Sequence, residues 1–324
     1  MQNLYKLAAA IFIAGACSVV HAEKTRVILD TDANNELDDQ HAIAYTLFSG
    51  NDFEVEALTI NRTSGGGSVQ DHYAEAERVV KLCNLGGKIK ILTGADGNFD
   101  DIKDDLVNPN HDGYEAVDYI IKRAHATVDK KLVLLPIGKL TNIALALKKD
   151  PSIAPKVRIV WLGSNYPARG EYNQDNDLPA VNYVLDSAAP FEIAVVRYGK
   201  PSGTAAVKAS LAEIKEKMPG AGPRISTPVV GRHGGEFSTF GDYSVNLFVK
   251  MGHESRALFD VAAVAIVKDP SWARSSTIPA PKLVGKNWAG RPRNVREIVL
   301  WEDFDREKIM ADFYQTMQNP VLVK

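Results

Sequence analysis

Five carboxylates fall within ten residues of the stretch "ILDTDANNELDDQHAIAY" at positions 28–45: Asp30, Asp32, Glu36, Asp38 and Asp39. Like charges this close repel one another, so folding alone gives no reason to gather them. The apolar run "RVIL" comes directly before the cluster, and the apolar helical pattern "HAIAYTLF" directly after it. Carboxylates converging where a strand hands over to a helix suit a hard divalent cation. Ca²⁺ takes roughly six to eight oxygen ligands. Asp38 and Asp39 would also sit at a helix N-terminus, where negative charge is favoured. The plainer reading makes Asp38 a helix cap and leaves the others on the surface. Two adjacent aspartates alone would favour it, but Asp30, Asp32, Asp38 and Asp39 together behind a buried strand favour the metal.

Other chemistry-bearing residues carry weaker signals. The run "SGGGS" lacks the Lys-Ser/Thr end of a phosphate loop and the spacing of a dinucleotide fingerprint, so a loop over a pocket or a plain turn is expected there. His111 is a lone loop histidine, a type more often structural. His233 lies in the Gly-rich "GRHGGEF", which could form a lid.

The elements that must position these groups alternate along the chain. Apolar, β-branched runs of strand length recur as "TRVILD", "EVEALTI", "KIKIL", "KLVLLP", "VRIVWL" and "FEIAVV". Between them lie segments with helical apolar spacing, among them Ala74–Leu85, Tyr114–Ala124 and Thr141–Leu147. This alternation predicts an α/β fold, an open and mostly parallel sheet with helices on both faces. In such sheets ligands bind at the carboxyl ends of the strands. The stretch "GKPSGTAAVKASLAEIKEKMPGAGP" reads as a helix between loose ends, a surface excursion within one domain spanning 23–324.

Composition narrows the function classes. The chain has 324 residues, 45% hydrophobic, with a formal charge of −2, which gives no electrostatic reason to expect nucleic acid. Its basic stretch "KNWAGRPRNVR" (Lys286–Arg296) reads as a solvated loop. "MQNLYK", "LAAAIFIAGACSVV" and "VHA" have the charged, apolar and small-residue parts of a signal peptide over residues 1–22, so export, to a periplasm-like compartment or beyond, is expected. Lipid anchoring at Cys17 ranks second, because Ala14 stands where Leu is usual. No apolar run is long enough for a membrane span. After cleavage only Cys83 remains, which rules out an intramolecular disulfide.

At this point the sequence resembles the inosine-uridine type nucleoside hydrolases. That family opens with Asp-x-Asp-Pro-Gly-x-Asp-Asp between strand and helix, and "ILDTDANNELDDQHAIA" is similar, with a turn two residues longer. "LVLLPIGKLTNIALALKKDP", "VRIVWLGSNY", "PAVNYVLDSAA" and "ALFDVAAVAIVKDP" resemble later family segments in the same order, over nearly the whole mature chain. The resemblance implies a Ca²⁺ site made by Asp32, Asp39, Asp260 and the backbone carbonyl of Ile137. It implies that Asp32 also takes a proton from a water on the metal, and that this water attacks C1′ of a ribonucleoside. Asp38 and Asn182 would hold ribose hydroxyls, Asp30 would orient its neighbours, and Asp186 would support a helix start.

The family's Glu two residues before the Asn matched to Asn182 falls on Ala180. Its Asn after the second strand falls on Ser64, with Asn61 near; Asn173 and Asn176 in "GEYNQDND" are candidate replacements. Phe259 stands where other members place a His that helps protonate the departing base, and an aromatic ring there can stack on a base. The implied partner is a small nucleoside or riboside, and homo-oligomerisation stays open. Three alternatives remain. One is a haloacid-dehalogenase type phosphatase, suggested by "DTDAN". Another is a ribosyl-binding protein without turnover. The third is a hydrolase of the same fold acting on another glycosidic substrate.

Overall fold

A computed structural model describes residues 23–126 and 130–324. The expected signal peptide and Cys17 lie outside the described residues. Eight strands form the main sheet: β1 (Thr25–Thr31), β2 (Phe53–Ile60), β3 (Ile91–Thr93), β4 (Leu132–Pro136), β5 (Val157–Ser164), β6 (Phe191–Val195), β7 (Arg274–Pro279) and β8 (Glu297–Glu302). Their order across the sheet is β7-β8-β6-β5-β4-β1-β2-β3. Every pairing is parallel except β7 with β8, which is antiparallel.

All six strands read from the sequence are present, because strands buried on both faces show up as continuous apolar, β-branched runs. The two that were not singled out, β7 and β8, lie at one edge. There β7 alternates exposed and half-buried residues, so its sequence "RSSTIP" carries no such run. Tyr114–Ala124 is helical over the expected span. The helix expected at Ala74–Leu85 runs from Val69 to Leu82, because Ser68, six residues upstream of the apolar pattern, forms a capping box with Asp71.

Chain order reverses between β1 and β4: β2 and β3 lie on one side of β1, and β4, β5 and β6 follow on the other. Such a switch point opens a crevice at the strand ends, because the connections from the two central strands leave toward opposite faces. Asp32 follows β1 there, and Ile137 follows β4, its N–H donating to the Asp30 carbonyl at 2.8 Å. Two apolar layers, one on each face, hold these strand ends in place.

One surface expectation changes. In the Gly199–Pro223 stretch, the helix Leu211–Lys217 is capped by Ser210 and Glu213, and Lys208–Ser210 pairs as a strand with Ser255–Ala257. The stretch is therefore stitched to the body and is not a loose excursion. The basic segment Lys286–Arg296 is exposed or half-buried throughout, as a solvated segment should be, with Lys286 paired to Asp175 at 2.9 Å and Arg291 to Asp186 at 2.5 Å. Asp186 is the last residue of its helix, and that helix start is capped instead by Asp177, which accepts from the Ala180 N–H at 3.1 Å.

Candidate active site

The first turn of the helix Leu37–Phe48 carries Asp38 and Asp39, and the first turn of Phe259–Lys268 carries Asp260. These two helices pack together and bring their N-termini to the switch point. Unpaired N–H groups and the helix dipoles there favour anions. Carboxylate oxygens of Asp38, Asp39 and Asp260 lie within 4.8 Å of one another, and all three residues are buried. Asp32 lines the same cavity, of about 170 Å³, together with Ile137, Asn173 and Phe259.

Close packing fixes Asp32. The Thr63 hydroxyl donates to its Oδ2 at 2.5 Å. A Cβ at Gly138 would stand 2.7 Å from its Oδ1, so only glycine allows the β4 loop this near. Behind it, Asp30 accepts from the Thr59 hydroxyl at 2.7 Å, Asn61 Nδ2 at 2.6 Å and Asn142 Nδ2 at 2.7 Å. Asp30 thus ties β1 to β2 and to the helix Thr141–Lys149. Thr31 donates to Asp39 at 2.5 Å, holding that carboxylate toward the cavity floor.

Burial disfavours every one of these charges. It raises Asp30 and Asp32 to about 6 and Asp38 to about 7. Asp39 and Asp260 rise well above the ordinary carboxylate range, from burial first and then from the neighbouring carboxylates. A buried set of hard oxygen donors with no sulphur or imidazole among them matches the donor chemistry of Ca²⁺ or Mg²⁺. The residues therefore fit a hard divalent cation.

The opposite wall comes from Glu171, Tyr172 and Asn173. Asn173 Nδ2 donates to the Ile137 carbonyl at 2.8 Å and to the Leu162 carbonyl at 3.0 Å, bridging the ends of β4 and β5. Glu171 caps the short helix Tyr172–Asn176, accepting from the Gln174 N–H at 2.8 Å, and burial pushes its carboxyl up to about 8. A Glu two residues before an Asn is the spacing sought at Ala180 and Asn182. The structure has it nine residues earlier, at the cavity. Asn182 faces the other way: its amide exchanges two hydrogen bonds with the Leu283 backbone, at 3.0 and 2.9 Å. Ala180 is buried in an apolar layer.

Asn61 and Asn176 also differ from expectation. Asn61 lies beneath the cavity, bonded to Asp30. Asn176 accepts from the Ser64 N–H at 2.7 Å and donates to the Tyr172 carbonyl at 2.9 Å, so both ends of its amide hold backbone. The glycine run is pinned as well: Tyr172 accepts from the Gly65 N–H at 2.6 Å and Asn34 donates to the Gly66 carbonyl at 2.6 Å. His111 touches Lys149 and the Asp112 backbone, away from the cavity. His233 lines a separate cleft with Arg78 and Arg232. The Tyr243 hydroxyl is committed to Glu75 at 2.6 Å.

At the mouth stand Glu36, from the acidic window itself, and two residues with no local sequence signal, Tyr198 and Arg256. Arg256 is ion-paired with Glu36 and lies over the Phe259 ring at 5.4 Å. Tyr198 meets the same ring edge-on, with centroids 6.0 Å apart. These contacts make an aromatic and cationic rim above an acidic floor.

Known proteins share this architecture. The plant nucleoside hydrolase PpNRh1 superposes with a TM-score of 0.71 over 92% of this chain and 100% of its own, at 19% identity. The purine-preferring ribonucleoside hydrolase from Gardnerella vaginalis gives 0.68 over 91% and 98%, at 21% identity. In sequence, the pyrimidine-specific ribonucleoside hydrolase RihB of Escherichia coli O1:K1 / APEC is 38% identical over 81 residues, 23% of this chain and 26% of that one. The matched region spans about a third or less of the length of such curated relatives. The description of the inosine-uridine preferring nucleoside hydrolase family matches residues 27–318, and the chain belongs to that family.

Proposed function

We propose that the protein is a metal-dependent N-ribohydrolase that splits ribonucleosides into base and ribose. The observation that carries this reading is the buried carboxylate cluster of Asp32, Asp38, Asp39 and Asp260 at the sheet's switch point, faced by Glu171 and Asn173. A cavity of about 170 Å³ suits a small substrate group such as a ribosyl ring.

The proposed ion is Ca²⁺, held by Asp39 and Asp260 with Asp32 and the Ile137 carbonyl. When bound, a cation of this kind offsets the carboxylate charge and acidifies a water molecule. Asp32 accepts the proton of the attacking water, held in place for that task by Thr63 and by the close approach of Gly138. The water oxygen forms a bond to C1′. The C1′–N bond breaks, its electron pair departs with the base, and the base gains a proton. Positive charge on the sugar in such a transition state is stabilised by the surrounding carboxylates.

Asp38, Glu171 and Asn173 are assigned the ribose hydroxyls, because they surround the cavity with acceptors and one amide. Phe259 and Tyr198 are assigned contact with the base, whose flat face matches their rings. The leader-like residues 1–22 support export as part of the same reading.

The test is release of ribose and free base from a panel of ribosides, with Ca²⁺ and with chelator. Ca²⁺-dependent release of both products is expected. No release from any riboside by folded, Ca²⁺-loaded protein overturns the proposal.

A further inference from the structure

Beyond Phe259 a second cavity opens, of about 640 Å³, and Tyr198, Arg256 and Phe259 are walls of both. The sign of charge reverses across that divide. On the far side stand Lys200, Lys208 and Arg256, with His253 alongside, and among the described residues no carboxylate side chain lines the space. Neighbouring arginines have their counter-ions: Arg197 pairs with Glu302, Arg256 with Glu36 and Arg306 with Glu213. Lys200 and Lys208 have none among the described residues. Arg256 Nε is buried with no hydrogen-bond partner, so this guanidinium keeps an unused donor beside the divide.

The fold puts these cations here deliberately in one sense: two separate connections converge. The loop leaving β6 brings Tyr198 and Lys200, and the ribbon of Lys208–Ser210 with Ser255–Ala257 places Lys208 opposite Ala257. Lys200 and Lys208 themselves lie in the Gly199–Pro223 stretch, and neither lines the acidic cavity.

We propose that this second cavity is the leaving-group side of the site and that it selects substrates whose aglycone carries a carboxylate. The inference rests on the ribohydrolase reading, which puts the ribosyl group over the acidic floor. A base stacked against Phe259 and Tyr198 directs its substituents past the divide. An anion there meets unpaired cations, whereas the same anion over the floor meets four aspartates. The paired fields therefore fix the direction in which a charged substrate enters and penalise the reverse.

Nicotinate riboside and nicotinamide riboside isolate the effect. In both, the pyridinium nitrogen takes back the bonding electron pair and requires no proton, so the pair differs only at the ring substituent, a carboxylate in one and an uncharged carboxamide in the other. In low salt the wild-type protein should show a higher kcat/KM for nicotinate riboside. In the double variant Lys200→Gln, Lys208→Gln the ratio of the two kcat/KM values should fall about tenfold, since a solvent-screened ion pair is worth roughly a factor of five or less. Higher salt should shrink the wild-type ratio in the same direction. A third arm, uridine 5′-monophosphate against uridine, tells an anion on the aglycone from one on the sugar. No gain from the phosphate is expected. A ratio unchanged in the double variant, or a Lys-dependent gain for the 5′-phosphate instead, overturns the proposal while leaving ribohydrolase activity standing. Failure to cleave uridine and both pyridine ribosides overturns it together with the reading beneath it.

Discussion

The variant Asp38→Asn should make the chelator-treated protein more stable at pH 8. Asp38 is buried, and its carboxyl is raised from 3.8 to about 7, first by desolvation and next by the Asp32 charge. The folded value lies above the unfolded one, so the folded protein keeps this proton where the unfolded chain has lost it. By linkage the cost of the charge is absent below about pH 4, grows as pH rises toward 7, and stands in full at pH 8. The interval between the two values corresponds to about 4 kcal/mol. This is an upper bound, because the amide also gives up hydrogen bonding that the carboxylate receives from the Phe259 backbone. For a chain of this size it corresponds to at most about 8 °C in Tm. The assay is thermal unfolding of wild type and variant in chelator at pH 4 and pH 8, and again at pH 8 with saturating Ca²⁺. The advantage should be present at pH 8 in chelator, absent at pH 4, and removed by Ca²⁺, which offsets the same charge. A variant no more stable than wild type at pH 8 in chelator, or equally stabilised at pH 4, refutes the reasoning.

Asp32→Asn should lower the rate of base release on the order of a hundredfold or more, because an amide cannot take the proton of water; single-turnover rates with folded, Ca²⁺-loaded protein check this, and a near-wild-type rate removes Asp32 as the base. Phe259 offers no proton to a departing base, so nitrophenyl riboside should be cleaved much faster than inosine or uridine, and Phe259→His should narrow the gap; equal, fast cleavage of all three by wild type means another group supplies the proton. Asn182→Ala should cost about 1–2 kcal/mol in stability by unpairing the Leu283 backbone, with kcat/KM unchanged; a large loss of activity at unchanged stability would return Asn182 to the site.

The sheet was legible in the sequence where strands are buried on both faces, as in "KLVLLP" and "VRIVWL". It was not legible at β7, whose outer face meets solvent. The acidic cluster was legible because Asp30, Asp32, Asp38 and Asp39 are close in the chain behind a buried strand, a setting that capping and surface exposure explain less well than a cation. The wall facing the acidic floor was half legible: Asn173 was a candidate through "GEYNQDND", whereas Asn182 was not brought to the cavity and Glu171 was not singled out. "EYN" and "AVN" both put Asn at the end of a three-residue pattern, and only the fold shows that Asn173 bridges two strand ends while Asn182 reaches toward Leu283. The Glu in "GEYN" was the available signal. Tyr198 and Arg256 had none, since they come from two distant segments and no spacing links them to each other or to the acidic window, in which Glu36 already stood.

Asp39 and Asp260 are separated by more than two hundred residues, yet their carboxylates meet. Closing so long a loop is a non-local step, whose entropy must be lost before the contact rewards it. An ion held by both residues would be a clasp between early and late parts of the chain, on opposite sides of the sheet's construction in sequence. Such a clasp adds its energy to the native state alone and leaves the route toward it nearly untouched. Divalent cation should therefore set how long the folded protein lasts, and hardly how fast it arises.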